Sequence, residues 1–322
     1  MKAVVMQRYG TPDVLELKDV PAPTPKADEI LVRVHAASVN DWDWGLLQGA
    51  SLIDRMMSGL LTPKVQILGC DIAGHVEAVG EGVETFEAGD EVYADLCASG
   101  FGAFAEYACV PAASVARKPA GMTFEQAAAI PQAGMLAWQG LIDVGRMRSG
   151  QKLLLNGAGG GVGTFALQIA KAYDVEVTVV DKPGKFGVLR ALGADHVINF
   201  LEEDFTAGDN RYDLILDVKT DRSPLAYLRA LNPGGTYVTV GGSLPRLLQA
   251  LVLGPVISRL YGKHVRIVAL KPNKDLAQMN QLFVSGKLRP VLEGPYTLAE
   301  LPAAFRLFAT GDHKGKIIVT LT

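Results

Sequence analysis

Cysteine is scarce in this 322-residue sequence. Only Cys70, Cys97 and Cys109 occur, and no two of them form a Cys-x-x-Cys pair. A disulfide framework is therefore not expected, and we interpret all three as small buried apolar residues. The opening residues, MKAVVMQRYG, also lack the long apolar core of a signal peptide. These features predict a reducing, cytoplasmic setting.

A strong charge of one sign is missing as well. The chain has 31 Lys and Arg against 34 Asp and Glu, a net charge of -3, so we expect no nucleic acid partner. The longest apolar run, residues 247–260, is shorter than the ~20 residues of a membrane-spanning helix, and Gly254-Pro255 interrupts it. We therefore expect no membrane partner. The run is interpreted as a buried helix pair, a subunit contact or part of an apolar pocket.

What is present is enough apolar material for large cores, since 49% of the residues are hydrophobic. Residues 1–122 alternate in the manner of short β-strands with glycine and proline turns between them. Residues 123–287 carry apolar runs of about five residues separated by helical segments, which is typical of a doubly wound parallel sheet with helices on both faces. Residues 288–322 end in a further β segment. We expect this return segment to rejoin the first domain.

A glycine-rich loop lies between the predicted strand KLLLN and the predicted helix TFALQIAKAY. Tight turning and close approach of the backbone to a pyrophosphate both require small residues, and the helix N-terminus supplies N–H groups for an anion. A dinucleotide is the expected ligand, and S-adenosylmethionine or a flavin is the alternative. The loop residues are Ala158, Gly159, Gly160, Gly161, Val162 and Gly163.

The charged residues at the end of the next predicted strand, EVTVVD, favour two different dinucleotides. Asp181 ends that strand and would accept a hydrogen bond from a ribose 2′-hydroxyl, which favours NAD. Lys182 and Lys185 would instead attract a 2′-phosphate, which favours NADP. The residues alone therefore leave NAD and NADP both open.

Several segments together carry a resemblance to a known family. They are HAASVNDWDW, ILGCDIAGHVEAVGEGVETFEAGDEV, GAFAEYACVPA, QAAAIPQAGMLAWQGL, GQKLLLNGAGGGVGTFALQIAK, LGADHVINF and GKIIV, in this order over nearly the whole length. The chain resembles the medium-chain dehydrogenase/reductase superfamily, and within it the zinc-independent quinone oxidoreductase branch related to ζ-crystallin.

The resemblance implies a mostly β catalytic domain like chaperonin-10, built from both chain ends, around a central Rossmann domain. Substrate and nicotinamide would meet in the cleft between them. It also implies a homodimer that joins two Rossmann sheets edge to edge, with HVRIVAL as the edge strand.

The resemblance also bears on zinc. Zinc-dependent relatives place a Cys where this chain has Asn40 and a His where it has Cys70, and the four cysteines of a structural zinc lobe are missing. One cysteine cannot supply three protein ligands, so no metal is expected. Without a metal, hydride transfer favours acceptors that are already electrophilic, such as quinones or α,β-unsaturated carbonyl compounds. Asn40 is the predicted catalytic residue, orienting the nicotinamide or donating to the substrate oxygen.

The resemblance further implies contacts to the cofactor. Lys185 matches a lysine that holds the 2′-phosphate in NADPH-dependent relatives, which inclines the prediction toward NADPH, whereas Phe200 stands where a tyrosine often reaches that phosphate. Val218 and Lys219 would border the ribose, although Val218-Lys219-Thr220 departs from the usual Thr-Val-Gly, and Leu136 replaces a common Thr. The residues expected to line the nicotinamide are Val240, Gly241, Gly242, Leu270, Lys271 and Asn273.

The predicted substrate is a small lipophilic quinone or carbonyl compound. An apolar pocket mouth is one interpretation of the aromatic and aliphatic residues Trp42, Trp44, Leu46, Met56, Met57, Leu60 and Leu61 together with the 247–261 run, and core or subunit contact is the other. Three alternative functions stay open. They are a regulatory nucleotide-binding protein of the same fold, an enoyl reductase of a biosynthetic pathway, and a zinc-free alcohol dehydrogenase.

Overall fold

A computed structural model describes residues 1–51, 55–56 and 58–321. The chain divides into two compact units, one of residues 1–133, 272–284 and 289–322, the other of residues 134–271 and 285–288. The sequence predicts boundaries at 122/123 and 287/288. In the structure, residues 123–133 and 272–284 also belong to the first unit.

The strands are β1 Lys2–Met6, β2 Leu15–Asp19, β3 Glu29–Ser38, β4 Asp71–Val79, β5 Glu91–Asp95, β6 Tyr107–Pro111, β7 Ala116–Arg117, β8 Lys152–Asn156, β9 Glu176–Asp181, β10 His196–Asn199, β11 Tyr212–Asp217, β12 Leu231–Thr239, β13 His264–Ile267, β14 Leu292–Thr297 and β15 Lys316–Thr320. The α-helices are α1 Asp41–Gln48, α2 Phe124–Ala129, α3 Pro131–Trp138, α4 Gly161–Ala172, α5 Phe186–Ala191, α6 Pro224–Tyr227, α7 Leu244–Tyr261, α8 Leu276–Val284 and α9 Leu301–Thr310. A π-helical segment, Gln139–Val144, follows α3.

The first unit is built on a mainly antiparallel sheet in the order β14-β15-β3-β4-β5-β7, with β6 pairing to β3. Alternation explains its core, because Ile30, Val32 and Val34 of β3 are buried at every second position. The pairing of β15 with β3 joins the chain's last strand to its first large sheet. Strand β15 of the predicted return segment therefore pairs with the N-terminal β structure, whereas Leu288 is grouped with the second unit.

The second unit holds a parallel sheet in the order β10-β9-β8-β11-β12-β13. Its inner strands are buried almost throughout, as expected of strands covered on both faces. The predicted Rossmann arrangement is thus confirmed. Strand β13 lies at one edge of this sheet, where the resemblance places it. Its pairing with a second copy stays a prediction.

The run 247–260 differs from the sequence-based expectation. It forms a single helix, α7, that continues through Gly254 and Pro255, so the expectation of a helix pair is wrong. An interior proline costs roughly 3 kcal/mol because it removes one helical hydrogen bond and crowds a carbonyl. Packing offsets this cost, since Gly254 is buried and lets the helix approach Val265 of β13 closely.

Candidate active site

The glycine-rich loop joins β8 to α4 as predicted. Gly157 has a φ of +83°, a left-handed conformation that favours glycine, and a Cβ there would lie 3.0 Å from Cγ of Lys219. A Cβ on Gly163 would clash with the carbonyl oxygens of Gly157 and Ala158. Helix α4 begins at Gly161 after an N-cap at Gly160, so its first N–H groups have no partner within the helix. The loop therefore offers an anion a small, donor-rich surface.

Asp181 and Lys185 lie beside this loop and contact each other. The Asp181 carboxylate accepts hydrogen bonds from the backbone N–H groups of Gly159 at 2.7 Å and Lys182 at 2.8 Å. The Lys185 ammonium lies 3.7 Å from the same carboxylate, and both side chains are only 4% exposed. Both oxygens of Asp181 are thus engaged within the protein. The structure brings the two residues that argue for NAD and for NADP into one buried ion pair.

Phe200 and Lys219 lie together in a cavity at the carboxyl ends of β8, β9 and β11. The cavity measures about 110 Å³, and Asp181 forms part of its wall. Phe200 is 39% exposed, so its ring is available as an apolar surface. Arg222 also lines the cavity; it pairs with Asp204 and lies 4.6 Å over the ring of Phe205. Two cationic side chains therefore face the space next to the loop.

The turn Val218-Lys219-Thr220 is shaped by Asp217, the last residue of β11. One carboxylate oxygen of Asp217 accepts hydrogen bonds from the backbone N–H groups of Lys219 at 3.1 Å and Thr220 at 2.9 Å, and from the side-chain amide of Asn156 at 2.9 Å. The other oxygen accepts from the hydroxyl of Tyr237 at 2.8 Å. This buried carboxylate fixes the turn that presents Lys219, whichever residues the turn itself carries.

The residues predicted to line the nicotinamide fall into two groups. Val240 is buried after β12, and Gly241 and Gly242 follow it on the surface. Leu270 and Lys271 lie after β13 in the same unit, where the side chain of Gln139 donates to the Lys271 carbonyl and accepts from its N–H, both at 2.9 Å. Gln139 thus holds the backbone of Lys271 in place.

Asn273 belongs to the first unit. Its amide oxygen accepts from the N–H of Asp95 at 2.7 Å, and its amide nitrogen donates to the Asp95 carbonyl at 2.9 Å. The Asn273 side chain therefore adds one pair of hydrogen bonds to the backbone at the C-terminal end of β5. Its predicted contact with the nicotinamide stays a prediction.

Asn40 lies in a buried polar network of the first unit. Its amide nitrogen donates to Asp71 at 3.0 Å and to the Ser38 carbonyl at 3.3 Å, while its amide oxygen accepts from the ammonium of Lys316. Lys316 also donates to Asp71 at 3.2 Å, and both of these charged side chains are at most 4% exposed. The network places one positive and one negative charge next to the predicted catalytic amide.

The positions that zinc-dependent relatives use do not fit zinc in this chain. Asn40 is committed to Lys316 and Asp71, and burial raises the pKa of the Cys70 thiol well above its usual value. A cysteine binds zinc as the thiolate, so Cys70 in this setting is a poor zinc ligand. Among the described residues, no group of three or more His, Cys, Asp and Glu side chains is arranged to hold a metal ion.

Asp43 holds two backbone segments in place. Its carboxylate accepts from the N–H groups of Asn40 and Gly69, both at 2.9 Å, so it closes the N-terminus of α1 and holds the segment before Cys70. Burial raises its pKa to about 7. Asp71 has a comparable positioning role, since it also accepts from the Gln132 N–H at 3.0 Å and the Ser38 hydroxyl at 2.9 Å.

Asp95 lies in an unfavourable environment for a charged carboxylate. One oxygen accepts from the Cys97 N–H at 2.7 Å, but the other is buried and has no hydrogen-bond partner in the described part of the chain. Burial, followed by the charge of Asp71, raises the Asp95 pKa to about 7. Asp71 lies directly opposite Asp95 in the pairing of β4 with β5. Asp95 is therefore costly to ionise.

Asp95→Asn is expected to stabilise the protein by roughly 2–4 kcal/mol near pH 8. A carboxyl group whose pKa is raised in the folded protein contributes stability below its unfolded pKa, and this stability is lost as the pH rises toward the folded value of about 7. Asparagine does not ionise, so the variant does not undergo this loss. Urea unfolding near pH 5 and near pH 8 measures the effect. Asp43→Asn is the contrasting variant: it removes a similar pH-dependent loss, because the Asp43 pKa is also raised to about 7, but it weakens two backbone hydrogen bonds and is therefore expected to be less stable than the wild type near pH 5. A less stable Asp95→Asn near pH 8 would contradict the argument.

Some of the apolar residues considered for a pocket mouth are buried in the structure, and others are exposed. Leu46 is fully buried and Trp44 packs against the first unit's core, as the core interpretation predicts. Met57 lies outside the described residues. The exposed members are Trp42, Met56, Leu60 and Leu61.

Four residues of these sites were not predicted from the sequence: Lys316, Gln139, Asp217 and Arg222. A signal existed for two of them. Lys316 is a cation at the start of the apolar strand KIIVT, and Asp217 ends the apolar strand YDLILD at the sheet edge where α/β proteins bind ligands. Gln139 and Arg222 carried no comparable local pattern.

Comparison with known proteins gives consistent matches over the whole chain. The alcohol dehydrogenase GroES-like domain matches residues 26–120, and the zinc-binding dehydrogenase family matches residues 192–319. The 2-methylene-furan-3-one reductase of Solanum lycopersicum is 31% identical over 99% of this chain and 79% of its own length. The chloroplastic NADPH-dependent alkenal/one oxidoreductase of Arabidopsis thaliana is also 31% identical, with the same shares covered. A solved quinone oxidoreductase from Coxiella burnetii superposes with a TM-score of 0.89 at 28% identity, covering 100% of this chain and 99% of that one.

Proposed function

We infer the reaction from the family: the chain belongs to the medium-chain dehydrogenase/reductase superfamily, in its branch of quinone and enone oxidoreductases. It is therefore an oxidoreductase, and we propose that it uses NADPH to reduce quinones or α,β-unsaturated carbonyl compounds. The observation that carries the proposal is the loop from Gly157 to Gly163, where added Cβ atoms would clash and where the N-terminus of α4 offers the N–H groups that a pyrophosphate needs.

The residues of the second unit fit a dinucleotide. The N-terminus of α4 would hold the pyrophosphate, and the cavity with Phe200 and Lys219 would hold the adenosine end. Val240, Gly241 and Gly242 would face the nicotinamide end, next to Leu270 and the backbone of Lys271 that Gln139 holds. When bound, the cofactor supplies a hydride.

We propose that the reaction proceeds without zinc. Asn40 and the thiol of Cys70 do not form a zinc ligand set, so no metal polarises the substrate. Acceptors that take up hydride readily, such as a quinone or a conjugated carbonyl compound, suit such a site. This argument disfavours oxidation of simple alcohols.

Asn40 remains the proposed contact to the substrate oxygen or the nicotinamide. Its bond to the Ser38 carbonyl is the longer of its two donor bonds, at 3.3 Å, and is the one that a ligand oxygen would replace. Lys316 fixes the orientation of the amide because an ammonium can only donate, and therefore requires the amide oxygen on its side. Lys316 is thus a positioning residue for Asn40.

The proposed dimer and substrate follow the family, and the proposed location follows from the scarcity of cysteine. We propose a homodimer joined through the edge of β13, a cytoplasmic location, and a small lipophilic substrate. Backbone pairing at an exposed parallel-sheet edge is the physical basis for the dimer.

The reductase assignment is tested with the purified chain, NADPH, and either a naphthoquinone or a 2-alkenal, by following the loss of NADPH absorbance. Turnover with one of these acceptors, unchanged by a chelator, is the expected result. Turnover only of a plain alcohol with NADP⁺ would identify an alcohol dehydrogenase instead. Tight NADPH binding without turnover of any acceptor would indicate a regulatory nucleotide-binding protein.

The preference for NADPH depends on the cations around the cavity. Lys219→Ala and Arg222→Ala are each expected to raise the KM for NADPH roughly tenfold, since a charge-assisted bond to phosphate contributes about 1.5–3 kcal/mol. The KM for NADH should stay nearly unchanged, because NADH has no 2′-phosphate. Arg211→Ala, an exposed arginine outside the cavity lining, is the control. Equal effects on both cofactors would mean that these residues do not read the phosphate.

A further inference from the structure

Helix α7 exposes a continuous apolar stripe. The residues recur at spacings of three and four, which places them on one side of the helix. Val252 and Leu260 are 66% and 69% exposed, and their place in a contiguous apolar patch is what is unusual for a protein surface. The stripe consists of Leu244, Leu248, Leu251, Val252, Val256 and Leu260.

The opposite side of α7 packs against the rest of the second unit. Ala250, Gly254 and Ile257 face the second unit and are its buried residues. The helix is therefore apolar on both sides, but the protein covers only one. A helix that is apolar all round is normally buried all round, which indicates a further partner on the outer side.

The charge around this helix narrows the choice of partner. The fifty residues from Arg222 to Lys271 contain seven Lys and Arg and not one Asp or Glu, although the whole chain has a net charge of -3. Arg259 of α7 and Arg266 of β13 are both exposed. An apolar stripe bordered by cations, with no carboxylate in the same stretch of chain, is complementary to a surface that is apolar inside and anionic outside.

A second copy of the chain fits this surface less well. A twofold contact through the α7 stripe would bring Arg246 and Arg259 of both copies together, and α7 itself carries no carboxylate to compensate the repulsion. The edge pairing proposed for β13 uses backbone groups of that strand and does not require the α7 stripe.

We propose that α7 docks onto an anionic lipid surface, lying in the plane of the interface with the stripe among the acyl chains and Arg259 and Arg266 at the headgroups. No helix in the described part of the chain is long and apolar enough to cross a membrane, so the contact is peripheral. This differs from the sequence-based expectation of no membrane partner. That expectation considered spanning segments and the net charge of the whole chain, and not the local cation excess of residues 222–271.

The test is flotation of the full chain with vesicles of phosphatidylcholine alone and of phosphatidylcholine with one third phosphatidylglycerol. Binding to the anionic vesicles, and its loss at high salt, is expected. Arg259→Gln combined with Arg266→Gln should weaken this binding roughly 25-fold, because each cation near an anionic surface contributes about a fivefold factor. Leu251→Gln combined with Val252→Gln should weaken it at least roughly tenfold.

Matched controls separate docking from general surface effects. Val284→Gln replaces an equally exposed valine on α8, and Arg8→Gln an exposed arginine elsewhere; neither should change binding. No binding to anionic vesicles, or equal weakening by the controls, overturns the proposal. So does a change from dimer to monomer in the Leu251 and Val252 variant with vesicle binding unaltered, since this would identify the stripe as a subunit contact.

Discussion

Lys316→Met is expected to lower the free energy of unfolding by roughly 3–5 kcal/mol, the usual cost of removing one partner of a buried ion pair. Lys316 donates to Asp71, to the Val39 carbonyl and to Asn40, and it is 3% exposed. Its loss leaves the Asp71 carboxylate charged and buried without a counterion. Urea unfolding at neutral pH measures the effect.

Two further variants make this prediction specific. Lys314→Met removes an exposed lysine two positions away and should change stability little. Asp71→Asn added to Lys316→Met should restore part of the loss, because it removes the uncompensated charge and Asn40 can then turn its amide oxygen toward position 71. If the single variant is as stable as the wild type, the buried pair is not a structural requirement.

Gly163→Ala is expected to weaken NADPH binding roughly a hundredfold, about 2.8 kcal/mol. The added Cβ would clash with the backbone oxygens of Gly157 and Ala158, which cannot rotate away as a side chain can. The start of α4 must shift, and with it the N–H groups proposed to hold the pyrophosphate. Fluorescence titration with NADPH measures affinity, and a thermal melt shows that the second unit remains folded.

The control for this variant is Gly208→Ala. A Cβ at Gly208 meets no atom within 4 Å, and its φ lies outside the left-handed range. It lies in the same unit and should bind NADPH like the wild type. Unchanged affinity in a folded Gly163→Ala protein would show that the dinucleotide does not lie on this loop.

The parts of the fold that the sequence predicts depend on local patterns. The loop after β8 could be identified because strand, glycines and helix lie within a short stretch, each with its own physical requirement. The buried strands of the second unit were evident for the same reason, as unbroken apolar runs. The edge position of β13 came from the resemblance to a family and not from its residues.

The parts that could not be predicted depend on distant contacts. Asp71 and Lys316 are 245 positions apart, and no local pattern indicates that they share one buried site. Asp181 was interpreted as a ribose acceptor, whereas the fold gives its oxygens to two backbone N–H groups and to Lys185. Gly254-Pro255 was interpreted as a break because propensity disfavours helix there, but packing against β13 decides the outcome.

The carboxylate of Asp217 has a practical consequence for changing the cofactor. Since Asp217 fixes the turn at residues 218–220 through backbone N–H groups, the side chain at 219 is not needed for the shape of that turn. Position 219 can therefore be diversified in a library without disturbing its scaffold. A switch from NADPH to NADH use by selection should accumulate substitutions there first, while Asp217 itself tolerates none.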